Sequence, residues 1–372
     1  MSDNTGIEWT DATWNVVIGC DKVSPGCDHC YAIRTAHRMQ SNPNPKVVEP
    51  YAGTESGGEW TGRVNLVEDR LSLPLQWKRP RRIFVNAQSD LFHDQVPDEY
   101  IAKVFAIMLL AQRHTFQVLT KRHGRMRSLL NSHAFWTRVL YEALDPGLPA
   151  GDRDGLQLSL HYLPNVWLGV STENQQWADI RIPALLDTPA AVRFISAEPL
   201  LGPIDLLNVA RRNVLTGVGN RIAMTTLRSP RETHIITPAC LDWVITGGES
   251  GPGARPAHPQ WFRSIRDQCQ SAGVAYLHKQ HGEWIEDVTE HPADPELGID
   301  EPYRVLNVPS DAKSGNRCAM HLSGSMALTP DNPFNPFRAG HGGWTAMRRV
   351  GKTRAGRVLD GRTWDEYPGV AG

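Results

Sequence analysis

An open or partial (β/α) barrel of about six or seven parallel strands is the fold class this sequence predicts. Three observations carry that reading. Strand-like and helix-like patterns alternate from about Arg82 to Lys279. The strand-like runs are short and rich in β-branched and aromatic residues, as strands buried on both faces are. Polar residues gather where those runs end, and in a parallel barrel the loops and helix N-termini that build a ligand site converge there.

The elements follow in order. A first strand is expected near Val16 to Gly19. RRIFVNAQSD (Arg81 to Asp90) reads as a buried strand that turns polar. In PDEYIAKVFAIMLLAQR, Pro97 suits a first helical turn, Asp98 and Glu99 suit the N-terminal dipole, and Ile101, Val104, Phe105 and Met108 form an apolar stripe. HTFQVLTKR (His114 to Arg122) is the next strand, followed by a short basic helix. NVWLGVSTEN (Asn165 to Asn174), AVRFISAEPL (Ala191 to Leu200) and LDWVITGGES (Leu241 to Ser250) are three more. HPQWFRSIRDQCQSAG is an amphipathic helix capped by Gly273, and VAYLHKQ (Val274 to Gln280) closes the series. Repeated strand–helix units imply parallel strands with right-handed crossovers. This core is assigned to residues 1–284, with insertions near 42–61, 145–163 and 207–239 that are rich in Gly, Pro or charge. Residues 285–372 read as a loop-rich extension packed on the barrel.

The 372 residues carry a net charge of -1, which argues against a general basic coat for nucleic acid but leaves room for a local basic groove. The N-terminus lacks the basic start and apolar run of a signal peptide, and the longest apolar stretch, VFAIMLLA, is too short to span a bilayer. A cytoplasmic protein without a membrane partner is therefore expected, in which clustered cysteines serve metal binding or catalysis rather than a disulfide framework. Three of the six cysteines, Cys20, Cys27 and Cys30, lie within one loop beside Gly19, Pro25 and Gly26. Unrelated buried thiols, a structural zinc site completed by His29 or His37, a three-thiolate iron–sulfur cluster with one open iron, and a redox dithiol at Cys27 and Cys30 all remain open on the residues alone. Cys269 falls on the apolar face of its helix with Phe262 and Ile265 and reads as core.

The loop N-x3-G-C-x6-C-x2-C-Y-A, Asn15 to Ala32, resembles the cluster loop of radical S-adenosylmethionine enzymes, most of all the spore-photoproduct-lyase-like branch. The family spacing is C-x3-C-x2-C, so this loop is three residues longer. Over Ile7 to Pro368 the chain also resembles the phage-associated Gp37/Gp68 family, through IEWTDATWN, SPGCDHCYA, VLTKR, WLGVSTEN, FISAEPLLG, WVITGGESG and GRVLDGRTWDEYP. The resemblance implies a [4Fe–4S] cluster on Cys20, Cys27 and Cys30, with S-adenosylmethionine on the fourth iron. An external donor supplies the electron, and a 5′-deoxyadenosyl radical acts on a further substrate. Ser89, Asp90, Ser171, Glu173, Gly247, Gly248 and Glu249, all at strand ends, are then candidate cofactor contacts, and Glu198 and Lys121 candidate catalytic residues. A salt bridge from Glu198 or Glu249 to a strand-end Lys or Arg, such as Lys121 or Arg122, is the structural alternative.

Three basic groups point to nucleic acid as a substrate class: Lys78 with Arg79, Arg81 and Arg82; Lys121, Arg122, Arg125 and Arg127; and Arg348, Arg349, Lys352, Arg354 and Arg357. Trp77, Trp344 and Trp364 are interleaved with them as candidate base-stacking platforms. Ordinary solvated basic faces are the plainer reading of each group. A zinc-stabilised accessory protein that binds nucleic acid without catalysis, and an iron–sulfur sensor or electron carrier, are the alternatives to an enzyme.

Overall fold

The computed structural model describes residues 5–145, 147, 162–217, 222–226, 229–236, 239–293, 303–307, 316–327 and 343–369. Seven strands form one sheet: β1 (Ala12–Trp14), β2 (Arg82–Val85), β3 (Thr115–Thr120), β4 (Val166–Ser171), β5 (Val192–Ala197), β6 (Trp243–Gly247) and β7 (Ala275–Gln280). Each pairs in parallel with the next, so order in the sheet equals order in the chain. A doubly wound sheet would reverse its strand order at a switch point. This one never does, and the result is a half-barrel. Helix α1 (Tyr31–Gln40) follows β1, and α2 (Asp98–Leu110) joins β2 to β3. The pair α3 (His123–Leu130) and α4 (His133–Ala143) leads to β4, α5 (Gln175–Leu186) to β5, and α6 (Pro259–Ala272) to β7. Gly273 ends α6 in the left-handed conformation, as its C-cap position demands.

The two-residue pleat divides the strands between two cores. Ile83, Val85, Phe116, Val118, Leu168 and Ile195 face the helices in the larger one. Phe84, Trp167, Phe194, Trp243, Ile245 and Leu277 face the barrel interior, where Trp9 packs among them. Trp9 meets Phe84 edge-on with ring centroids 4.7 Å apart and Trp243 at 5.9 Å. Inward positions change character along each strand. β4 presents Trp167, Gly169 and then Ser171; β5 presents Val192, Phe194 and then Ser196; β7 presents Ala275, Leu277 and then Lys279. The barrel is thus largely apolar at its N-terminal end, with buried Gln117 of β3 the exception on these strands, and polar at its C-terminal mouth.

The chain's C-terminal segment closes the apolar end. His278 N donates to Trp364 O at 3.0 Å, Trp243 Nε1 to Glu366 O at 2.9 Å, and Tyr276 N to the Glu366 carboxylate at 3.0 Å. Tyr367 then stacks near Trp243 and lies under the Arg82 guanidinium, 4.3 Å from the ring centroid, which carries the segment from β7 across to β2.

The structure differs from the sequence reading in three places. The first strand lies at Ala12–Trp14 rather than Val16–Gly19, because Asn86 Oδ1 accepts the N–H groups of Val16 and Val17 at 3.0 and 3.1 Å. That side chain takes the place of a backbone rung and interrupts the ladder, which resumes only as a single parallel bridge of Gly19 to Ser89. Val17–Ile18 pairs instead, antiparallel, with Asn65–Leu66. The insertion near 42–61 is built, with a short helix at Pro45–Val48 and a hairpin of Glu55–Ser56 with Glu59–Trp60. The C-terminal extension contains a four-stranded antiparallel sheet, in the order Trp284–Glu286, Trp344–Arg349, Arg317–His321, Met326–Ala327. Trp284, Cys318, Met320 and Met347 join the same core as Trp261 and Phe262 of α6. Of the insertion near 207–239, a hairpin of Ile222–Thr226 with Ser229–Ile236 is described; most of that near 145–163 lies outside the described residues. Among the described residues no helix is long and apolar enough to cross a membrane.

The interior aromatic cluster makes a direct prediction. Trp243 is fully buried between sheet and C-terminal segment. Trp243→Ala is expected to cost about 3–5 kcal/mol, read as a lowered urea midpoint; an unchanged midpoint contradicts this packing.

Candidate functional site

From β1 the chain rises through Gly19 to the cysteine loop at the polar mouth. Pro25–Cys27 forms one 3-10 turn, and Cys30 is the N-cap residue of α1. All three cysteines are free thiols, half-buried, and line one cleft of about 570 Å³. Burial pushes the Cys20 thiol up to about 12, against the pull of Arg122, whose Nη1 donates to its Sγ at 3.6 Å. Burial also raises Cys30, opposed by the N–H groups of Ala32 and Ile33 at the start of α1 and by the charge of Lys121. Burial therefore outweighs the positive partners and keeps Cys20 and Cys30 as thiols in the free protein.

Two buried carboxylates fasten this loop. Glu173, two residues beyond β4, is fully buried; its Oε1 accepts from Ser24 Oγ at 2.7 Å and its Oε2 from Arg181 Nη1 at 2.9 Å. Lys121 Nζ stands 3.8 Å from the same carboxylate. Gly26 passes so close that an added Cβ would lie 2.3 Å from Glu173 Oε1, which explains a glycine there. Glu249, two residues beyond β6, accepts from Arg255 Nε at 2.9 Å and Nη2 at 2.7 Å, and lies 3.0 Å from His29 Nδ1. Arg255 continues to the loop itself, donating to Pro25 O at 2.7 Å and Asp28 Oδ2 at 2.9 Å. Burial works to raise the Glu249 carboxyl, but the hydrogen bonds from Arg255 and His29 outweigh it and hold the group below the usual carboxylate range.

The expected site residues divide between lining and support. Cys20, Cys27, Cys30, Ser89, Asp90 and Lys121 line the cleft, as do Ser171, Glu198, Gly248 and Glu249. Glu173 and Gly247 are not among the lining residues. Several polar atoms expected to meet a cofactor are engaged in holding the mouth together. Ser89 Oγ donates to Val17 O at 2.7 Å. Asp90 accepts from Phe92 N at 3.0 Å, Thr120 Oγ1 at 2.7 Å and Lys121 N at 2.9 Å, tying β2 to β3. Gly248 is needed because a Cβ would fall 1.9 Å from His281 O, so the backbone that approaches it is the chain's own. Glu198 pairs with neither Lys121 nor Arg122. Lys279 Nζ donates to its two oxygens at 2.7 and 3.0 Å, and Gln280 Nε2 donates to Oε1 at 3.1 Å.

Sequence reading missed Arg255, Arg181, Lys279 and Gln280. Only their position soon after a strand-end carboxylate, or at the end of β7, could have drawn attention to them. His29 and His37, offered as fourth zinc ligands, face Glu249 and Glu55, each at 3.0 Å. Among the described residues no three His, Cys, Asp or Glu side chains converge on a point that could hold a single metal ion. Of the basic groups, Lys121, Arg122 and Lys352 reach the cleft. Trp77, Trp344 and Trp364 do not. Trp77 lies under Arg81, and Trp364 is flanked by Arg362 and Arg266. Trp9 and Trp60 line the cleft instead.

Two outcomes follow for the clasps. Arg255→Met is expected to free the loop, raising the alkylation rate of Cys27 and Cys30 at least several-fold while Cys269 stays protected; unchanged rates contradict the clasp. A depressed carboxyl adds stability above the unfolded glutamate value of about 4.3 and loses it as pH falls through the lower folded value. Glu249→Gln should therefore flatten the loss of stability measured by denaturant titration below about pH 4; an identical acid profile contradicts the assignment.

A parallel half-barrel with a cleft at the strand C-termini is compatible with a TIM-like enzyme. No curated protein and no solved structure matches the chain. Residues 4–368 match the family described as "Protein of unknown function (DUF5131)". That match spans nearly the whole chain, and the protein belongs to the DUF5131 family.

Proposed function

We propose that this protein is a radical S-adenosylmethionine-type enzyme that holds a [4Fe–4S] cluster on Cys20, Cys27 and Cys30. The observation that carries the reading is the placement of three thiols on one fastened loop after β1, facing a roomy cleft at the barrel mouth. The donor set fits the group. Three sulfurs, the positive charges of Lys121 and Arg122, and the N-terminal N–H groups of α1 suit an anionic sulfur cluster. A cluster spreads its thiolates over separate corners and needs no common ligand point, whereas tetrahedral zinc does. Held by Cys20, Cys27 and Cys30, such a cluster would supply one-electron chemistry for cleaving S-adenosylmethionine and, through it, hydrogen abstraction from a second substrate.

The chain's own residues do the rest. Glu173 and Glu249 keep the loop in place, Arg122 and Lys121 offset thiolate charge, and the dry interior below Ser171 and Ser196 keeps water from a reactive species. Ser171, Ser196 and Glu198 are the strand-end groups in reach of S-adenosylmethionine or substrate, because they line the cleft. Glu198, held by Lys279 and Gln280, offers carboxylate oxygens to accept a substrate proton, with Lys279 Nζ able to return one. The reduced partner that supplies electrons is external. Nucleic acid remains a substrate class for this site through Lys121, Arg122 and Lys352 at its rim.

Anaerobic reconstitution with iron and sulfide, followed by chemical analysis, tests the proposal. Roughly four irons and four sulfides per chain are expected, lost in Cys20→Ala, Cys27→Ala or Cys30→Ala and retained in Cys269→Ala, with reductant-dependent cleavage of S-adenosylmethionine. Full iron in Cys27→Ala overturns the ligand set. Stoichiometric zinc in place of iron overturns the enzyme. A full cluster without cleavage leaves a sensor or electron carrier.

A further inference from the structure

The two clasps hold the cysteine loop between Ser24 and His29, and Cys20 lies ahead of both. What meets the loop there is Arg122, the residue between β3 and α3. Its side chain is only 9% exposed and its donors serve three acceptors. Nη1 donates to Cys20 Sγ at 3.6 Å and stands 3.3 Å from Asp90 Oδ2, while Nη2 donates to Asp21 Oδ1. Asp90 is itself fixed by Thr120 Oγ1 at 2.7 Å and Lys121 N at 2.9 Å, so the guanidinium is anchored to the ends of β2 and β3. Buried His93 adds to the far side: its Nδ1 accepts from Gln95 N at 3.2 Å, which places its proton on Nε2, 3.4 Å from Asp21 Oδ1.

The three sulfurs are therefore not equivalent. Among the described residues, Cys20 alone receives a hydrogen bond from a side chain, while Cys30 meets the backbone N–H groups of Ala32 and Ile33. As a free thiol, Cys20 also donates its own proton to Asp21 O at 3.4 Å. Coordination to iron takes that proton away and leaves Arg122 donating to a full thiolate, where a charge-assisted bond is strongest. Much of the guanidinium charge is spent on Asp21 and Asp90, so what distinguishes its contact with sulfur is direction. Hydrogen bonds to the sulfurs help to set the reduction potential of an iron–sulfur centre, because they draw charge from sulfur and favour the more negative, reduced state. We infer that Arg122 is a positioning residue whose N–H bond to Cys20 Sγ raises the reduction potential of a centre held on the three cysteines. One electron from the external donor, which is itself oxidised by one electron, then enters the centre more readily, and no proton moves. The inference rests on the proposed iron–sulfur reading and deepens it by giving one corner of that centre a tuning role.

A redox titration followed by electron paramagnetic resonance, on anaerobically reconstituted full chain with iron measured on the same preparation, tests it. Arg122→Lys keeps the charge beside Asp21 and Asp90 but removes the fork that reaches sulfur. It is expected to retain about four irons per chain and to shift the midpoint to a more negative potential. With isotope-labelled arginine nitrogen, pulsed resonance on the reduced wild-type protein should show a coupling to that nitrogen, absent in Arg122→Lys. An unmoved midpoint, or no arginine coupling in the wild type, overturns the inference. Loss of iron in Arg122→Lys also overturns it, since Arg122 would then hold the loop rather than tune the centre. Wild-type protein that assembles no iron–sulfur centre sinks the proposed function and this inference with it, whereas a full centre with an unmoved midpoint sinks the inference alone.

Discussion

Glu173 and Glu249 reach from the ends of β4 and β6 to a single loop, and that double fastening is what the rest of the site depends on. A loop of this composition, with Pro25, Gly19 and Gly26 between its thiols, has no packing of its own to fix it. Its position comes from the far side of the barrel. Glu173 holds Ser24 directly, and Glu249 meets His29 directly and also acts through Arg255, which touches both Pro25 and Asp28. Both carboxylates are buried, so the interactions are little screened by salt. Removing one partner of such a pair also leaves a charge uncompensated, at a cost of several kcal/mol. Arg181, itself fully buried, satisfies the second oxygen of Glu173 and makes that arrangement tolerable in a dry setting.

The fastening is possible because the half-barrel brings unrelated strand ends together at one mouth. Inward positions grade from tryptophan and phenylalanine at the closed end to serine, glutamate and lysine at the open one. The closed end is sealed by a segment from the other end of the chain. Tyr367 and Glu366 occupy the base of β6 and β7, and Trp9 fills the interior from the N-terminal side. One construction therefore gives a water-poor interior and a polar mouth, the two conditions that reactive chemistry at a strand end requires.

Much of this was legible in the sequence, and the reasons for success and failure are physical. β2 to β7 could be read because each is a short β-branched and aromatic run bounded by polar residues, a local signal. β1 was misplaced because Val16, Val17 and Ile18 are as apolar as Ala12 to Trp14. Composition does not say which partner a run pairs with, and the decision falls to the side chain of Asn86, some 70 positions away. The cysteine loop and the strand-end carboxylates Glu173, Glu198 and Glu249 stood out by type and position. Their partners did not. Ser24 lies 149 residues from Glu173, and Arg255 lies 227 from Asp28. Strand ends also suggested ligand contacts where Asp90 and Ser89 turned out to be occupied in tying β2 to β3 and to Val17. The strands of the C-terminal extension escaped notice because most of them pair across long sequence gaps, as Trp284–Glu286 does with Trp344–Arg349, and carry no alternation strong enough to announce them.

The proposed function requires that the three sulfurs on the held loop share a single polynuclear centre. X-ray absorption at the iron edge on anaerobically reconstituted protein tests it most directly. An iron environment dominated by sulfur with a clear iron–iron scattering shell is expected, unchanged in Cys269→Ala and lost in Cys27→Ala. Isolated iron without a metal neighbour, or the same spectrum in Cys27→Ala, would contradict it.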